Sequence, residues 1–335
     1  MGPRKQEIIN RWILPANRRK NLTYRILITL LLLLTLPSAC RNNMSDNTQN
    51  TSVAETSATD PLSIHQRAIA IDMHADTAQR LLDEDVDIQQ ELSDGHFDAV
   101  RAKAGNLDAQ FFSIWVEPQL FGGGGARAIK RADDQIAIVR ALAEKHPETW
   151  LLATSADDIR RAVCEGKIAA LMGLEGGYAI DDRLENVQRY YDLGVRYMSP
   201  AWSVSTSWAG SSGDDVGRTR GLNEFGKSVV REMNRLGMMI DVSHVSDPTF
   251  WDIVNTSTAP VIATHSACRA IADVPRNLTD DMIRALAKTG GVVNVIFYPE
   301  HLEPGWQLLK KRVDVEIDAM VREASASEPG SAAQK

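Results

Sequence analysis

Between residues 61 and 300, short runs of apolar and β-branched residues alternate with longer stretches whose apolar side chains recur every three or four positions. The short runs are Ala68–Asp76, Leu107–Val116, Ile168–Glu175, Val195–Trp202, Met238–Val245, Pro260–His265 and Gly291–Tyr298. Their length and composition predict β-strands. Ala128–Lys145, Leu184–Leu193, Leu222–Leu236 and Thr279–Lys288 have the spacing of amphipathic helices. Thr279 offers a capping hydroxyl, Asp280 and Asp281 put negative charge in the first turn, and Gly290 follows the last. Another helical stretch, Trp306–Glu323, precedes a polar tail. Strands alternating with helices of this length predict βα units on a parallel sheet.

Such units form either a doubly wound sheet or a barrel, and the polar residues at the strand ends separate the two. His, Asp or Glu closes several runs at the C-terminal tip (HAD, LEGG, DVSH, ATH), which is where barrel active sites gather. A dinucleotide fold would instead need a Gly-rich turn after its first strand. The nearest candidate, Gly122–Gly125, follows the second run and has Arg127 where a third glycine should stand, so it reads as a loop. The expected fold is therefore α/β, a (β/α)8 TIM-type barrel. Seven runs are found, and the last strand and helix are expected to be missing.

The first 25 residues carry seven Lys or Arg against the single acid Glu7, followed by an apolar run from Ile26 to Leu36. Eleven helical residues rise only ~17 Å, short of a hydrocarbon core of ~30 Å, so an export signal is expected rather than a membrane span. Ser38 and Ala39 precede Cys40, and LPSAC resembles the lipobox of bacterial lipoproteins, with Pro37 where a leucine is usual. Lipidation at Cys40 would anchor an exported chain to the cell envelope; a conventional secretory signal with an incidental cysteine is the alternative. Residues 41–60 are almost wholly polar, and a coil of that length spans ~25 Å r.m.s.. The expected organisation is a signal over 1–40, a linker over 41–62, a metallohydrolase barrel over 63–300, and a helical insertion with polar tail over 301–335.

Composition narrows the function. Net charge is −7, which lacks the basic footprint of a nucleic-acid binder, and 44% hydrophobic residues suffice for a core. Three cysteines, none in a Cys-x-x-Cys pair, suggest no thiolate zinc site. No Gly-x-Ser-x-Gly elbow is present, which disfavours a serine hydrolase.

Strand alternation puts His74 and Asp76 on one side of their strand, where both can chelate a single ion. Glu175 ends an apolar run, and a buried carboxylate there is costly unless paired or coordinated. His244 and His265 end two further runs. Each taken singly could be a hydrogen-bonded core residue. Of seven histidines, however, three sit at strand tips that a barrel would bring together, while His65, His96, His146 and His301 fall in helices or loops. Three imidazoles and two carboxylates suit a pair of borderline divalent cations with coordination left open for water.

The segments IDMHAD, VRAKAGNLDAQFFSIWV, LMGLEGGYAID, RLGMMIDVSHVSD, APVIATHSACRAI, the Arg276-Asn277 pair and GGVVNVIFY, taken in order, resemble the membrane (renal-type) dipeptidase family, dizinc peptidases of the M19 type. The resemblance runs from about residue 65 to 300. It implies two Zn2+, the first held by His74 and Asp76, the second by His244 and His265, with Glu175 and a nucleophilic hydroxide bridging them. It also implies that Arg276 grips the free C-terminal carboxylate of a dipeptide substrate, with help from Tyr298, and it allows a homodimer.

Two departures qualify the match. Trp202 stands where mammalian members carry a histidine facing the scissile carbonyl, and an indole has one donor and no charge. The family's eighth strand, with an aspartate that handles the nucleophile's proton, has no counterpart, so the chain is expected to be an incomplete, weakly active fragment. Two other readings remain: a barrel metallohydrolase acting on other carboxylated amides or esters, and a non-catalytic peptide-binding lipoprotein.

Overall fold

The computed structural model describes residues 60–327. The export signal, Cys40 and the linker up to residue 59 lie outside the described residues, as does the end of the polar tail. Among the described residues no helix is long and apolar enough to cross a membrane.

Eight strands form one sheet: β1 (Ile71–Ala75), β2 (Ala109–Trp115), β3 (Trp150–Leu152), β4 (Ile168–Glu175), β5 (Val195–Ser199), β6 (Met239–Asp241), β7 (Val261–Ser266) and β8 (Val293–Val295). Their order is β1-β2-β4-β5-β6-β7-β8, with β3 beside the first half of β4, and every ladder is parallel. The sheet curls into a nearly closed barrel, so that β1 also packs against β7. Among the described residues no ladder joins β1 to β8.

Strand parity divides the core. Ala109 and Phe111 of β2, Ala169 and Leu171 of β4, Tyr197, Met239 and Ile262 belong to one apolar cluster, whereas their alternating neighbours Phe112, Ile114, Met172 and Leu174 pack in a larger one with helical residues such as Ile136 and Val139. A period of two therefore separates the barrel interior from the layer beneath the helices. β4 is buried along its whole length, as a strand covered on both faces must be.

Several elements differ from the sequence expectation, each for a local reason. β5 stops at Ser199 because Pro200 has no N–H to extend the ladder. β6 stops at Asp241, whose carboxylate takes the Ser243 N–H at 3.0 Å and turns the chain. β8 ends at Val295, so Tyr298 lies beyond the strand, at the start of a 3-10 turn over Pro299–His301. β1 ends at Ala75, and Asp76 takes the N-cap position of the helix Thr77–Asp83. The three-residue β3 is too short to have a readable period. The helix over Asp280–Lys288 keeps its expected cap, with Thr279 accepting from the Met282 N–H, and Gly290 has φ 78° just after it.

Candidate metal centre

At the C-terminal rim of the sheet, Glu175 ends β4 only 3% exposed. Its Oε1 is 2.9 Å from His244 Nε2 and 3.6 Å from His265 Nε2; its Oε2 is 3.4 Å from His74 Nε2. Ser113, inward on the neighbouring β2, donates to Oε2 at 2.9 Å. His244, just past β6, and His265 of β7 meet with Nε2 atoms 3.0 Å apart, and the His74 and His265 rings stack with centroids 3.8 Å apart. His74, Glu175 and His265 offer ligand atoms that all lie within 4.8 Å of one another.

Asp76 joins this group by a different route from the one strand alternation suggests. The β1–β2 register slips between Asp72 and Ala75, and the strand ends before Asp76. The carboxylate comes within 3.6 Å of His74 Nε2 because the chain turns into a helix there, and it makes no capping bond that would divert it. It is the most open member, its side chain 59% exposed.

The electrostatics suit a cation. Burial alone would raise the Glu175 carboxyl, but the charge of His74 and the close approach of His244 at 2.9 Å, with His265 and His74 nearby, hold it well below the ordinary glutamate range. Burial, with Arg276 nearby, pushes His244 down to about 4, and burial, His74 and Arg276 push His265 well below its usual value. For His74 burial acts downward, but Glu175 and Asp76 outweigh it and hold the imidazole well above 6.5. The cluster thus combines an ionised carboxylate, a second open carboxylate, two neutral imidazoles whose Nε2 atoms face each other, and His74, which must release its proton to bind an ion. This borderline N/O donor set fits zinc and its neighbours better than calcium or magnesium.

The other expected site residues are distributed around this centre. Arg276 bonds the His265 carbonyl (2.9 Å) and Ser266 Oγ (3.0 Å), and its Nε is buried without a partner. Burial lowers its pKa to about 10. The Trp202 ring stands edge-on to Trp115 at 4.8 Å between centroids and tilts against His244 at 6.3 Å, so it walls the side of the centre. Tyr298 is 48% exposed and packs on His301, 5.4 Å between centroids. The structure brings Arg276 and Trp202 to the histidines and leaves Tyr298 facing solvent.

Sequence reasoning overlooked four polar residues in the layer just beneath the centre: Ser113, Tyr197, Asp241 and Thr264. Tyr197 OH is 3.1 Å from His74 Nδ1, and Thr264 Oγ1 is 2.8 Å from His265 Nδ1 and from Asp241 Oδ2. For Ser113, Asp241 and Thr264 the signal was parity, since each shares the inward register of Phe111, Met239 or Ile262 two residues earlier; a register shift in β5 hides Tyr197.

Comparison with known proteins gives this geometry a context. The family model for membrane dipeptidase, peptidase family M19, matches residues 59–329. The chain belongs to the membrane dipeptidase family. It is 39% identical over 199 residues to mouse Dipeptidase 3, covering 58% of this chain and 39% of that protein. An uncharacterised dipeptidase of Schizosaccharomyces pombe is 32% identical over 228 residues, 65% of this chain and 56% of the relative. The chain thus spans about two-fifths and just over half of these two relatives. Among solved structures, the fold recurs in a Rhodobacter sphaeroides metallopeptidase bound to a phosphinate mimic of the dipeptide L-Ala-D-Ala (26% identity, TM-score 0.63, 75% of this chain and 82% of that chain). It recurs again in the probable dipeptidase PvdM of Pseudomonas aeruginosa (27% identity, TM-score 0.63, 72% and 63% of the two chains).

Proposed function

We propose that this M19 chain is a zinc-dependent dipeptidase that hydrolyses the amide bond of dipeptides with a free C-terminal carboxylate. One observation carries the proposal: His74 of β1, His244 just past β6 and His265 of β7 converge on the Glu175 carboxylate at the end of β4, with nitrogen–oxygen distances of 2.9–3.6 Å. His74 and Asp76 would hold one zinc, His244 and His265 a second, and Glu175 would bridge them. Bound zinc supplies Lewis acidity to a carbonyl oxygen and makes hydroxide available near neutral pH.

This chain's own residues do the rest. Ser113 donates to Glu175 Oε2 and fixes the carboxylate plane, leaving Oε1 toward His244 and His265. Arg276, tied to the His265 carbonyl, presents a planar cation beside the donors, and its fork can bind a carboxylate bidentately. That contact would make the site count residues from the substrate's C-terminus. Trp202 and Trp115 exclude water on one flank. Tyr298 would have to swing in from solvent to assist. The relative solved with a dipeptide mimic supports this substrate class.

The Trp202 indole favours one second reading, hydrolysis of other carboxylated amides or esters, because it brings no charge to a scissile carbonyl. Beyond the barrel, export and lipidation at Cys40, with residues 41–62 as a tether, would place the enzyme at the outer face of a membrane.

Metal analysis with a substrate panel tests the proposal. Two zinc equivalents per chain and cleavage of free dipeptides, with C-terminally amidated ones at least ~100-fold poorer, are expected; loss of a charge-assisted pair of hydrogen bonds has that size. Absence of zinc uptake, or equal cleavage of amidated dipeptides, overturns it. Preference for N-acyl amino acids or lactones selects the second reading.

A further inference from the structure

Beneath the five donors lies a fully buried carboxylate with no cationic partner within its hydrogen-bonding shell. Asp241, 0% exposed, accepts from the Ser243 N–H (3.0 Å), Ser243 Oγ (2.5 Å) and Thr264 N–H (2.9 Å) on Oδ1, and from Thr264 Oγ1 (2.8 Å) on Oδ2. These donors belong to the residues immediately before His244 and His265. A carboxylate buried without hydrogen bonds would be costly, and here four donors satisfy it.

Proton bookkeeping then fixes a direction. A threonine hydroxyl has one proton to donate and two lone pairs. With Asp241 ionised, as its four donors favour, Thr264 gives its proton to Asp241 Oδ2, so toward His265 Nδ1, 2.8 Å away, it can only accept. The ring proton of neutral His265 must therefore sit on Nδ1. The lone pair is left on Nε2, the atom 3.0 Å from His244 Nε2 and 3.6 Å from Glu175 Oε1. Ser243 completes the clamp: its hydroxyl donates to Asp241 and accepts the His265 backbone N–H at 3.1 Å.

We infer that Thr264, oriented by Asp241, is a positioning residue that sets the tautomer and angle of His265 and so readies its Nε2 to bind a metal ion. The inference concerns a residue assigned no role in the proposed function, and it rests on that reading only for the identity of the ion. Ligating histidines held in this way lose ~10- to 100-fold in metal affinity when the outer hydrogen bond is removed. Tyr197 extends the same layer, with its hydroxyl beside His74 Nδ1 and in reach of Thr264.

Two measurements on the full chain test this. Nitrogen-15 correlation spectra of the metal-free protein at neutral pH report which ring nitrogen of His265 carries the proton; Nδ1–H is expected, and Nε2–H overturns the inference. Titration with Zn2+ alone compares wild type, Thr264→Val and Thr264→Ser. The valine, of nearly the same shape, should bind ~10- to 100-fold more weakly, and the serine should restore affinity to within a few fold. Wild-type affinity in Thr264→Val, or equal losses in both variants, overturns it. If Thr264→Val does not fold, the spectra of the unmutated chain decide. If the unmutated chain takes up no zinc, the proposed function fails, and the same spectra still settle the tautomer.

Discussion

His244, three residues past the end of β6, stands opposite His265 of β7, 21 residues apart in sequence and 3.0 Å apart at Nε2. The offset is that of the ladder below them, where Ile240 pairs with Val261 and Asp241 with Ile262. Ser243 and Thr264 keep it too, with hydroxyls 3.2 Å apart. One register therefore places the two imidazoles together and the Ser243 and Thr264 hydroxyls beside each other. A slip of one residue would turn these side chains to the opposite face.

Replacing His244 with alanine removes one of these two facing imidazoles. Zinc content should fall from two equivalents to about one, with a loss of affinity larger than the ~10- to 100-fold typical of losing an outer hydrogen bond. Mass-spectrometric metal analysis of the folded variant checks this; two retained zincs would contradict the assignment of His244.

The Tyr197 ring is seated by the absence of a side chain at Gly173, because a Cβ there would lie 2.0 Å from the ring's Cζ. Gly173→Ala should destabilise the barrel by about 1–3 kcal/mol through overpacking, and move the Tyr197 hydroxyl from His74. Urea denaturation measures the first effect. Unchanged stability would mean that the ring relocates freely.

Asp98 provides a pH-dependent support away from the centre. Its side chain is 0% exposed; burial would raise its pKa, but backbone N–H groups of Arg101 and Leu92 and the Arg101 guanidinium at 2.6 Å hold it below the ordinary aspartate value. A lowered folded-state pKa contributes stability that is complete above the unfolded value of ~3.9 and is lost as pH falls through the folded value. The Tm difference between wild type and Asp98→Asn should thus be constant above about pH 5 and shrink toward pH 3. A difference that does not vary across that range would exclude the linkage.

Arg269 organises the segment that carries Arg276. Its guanidinium pairs with both oxygens of Asp247 at 2.7 Å, and its Nε bonds the Asn277 carbonyl at 2.9 Å. Lysine cannot reproduce this fork. Arg269→Lys should raise KM for dipeptides several-fold through a displaced Arg276 while kcat changes little, which steady-state kinetics would detect. A selective fall in kcat with constant KM would place the effect elsewhere.

The strand tips could be read from the sequence because each apolar run of β4, β6 and β7 gives way to a polar residue on the chain itself, so Glu175, His244 and His265 stand out locally. β4 begins and ends where its apolar run does, since burial on both faces leaves a continuous signal. Tertiary structure decided what depends on neighbours. Asp76 approaches His74 through a turn rather than a strand, Tyr298 falls past the end of β8, and the partners of each imidazole come from other strands. Local periodicity reports which face a residue occupies. Only the register between strands, a property of pairs far apart along the chain, determines that Thr264 meets Asp241 or that Tyr197 fills the space Gly173 leaves.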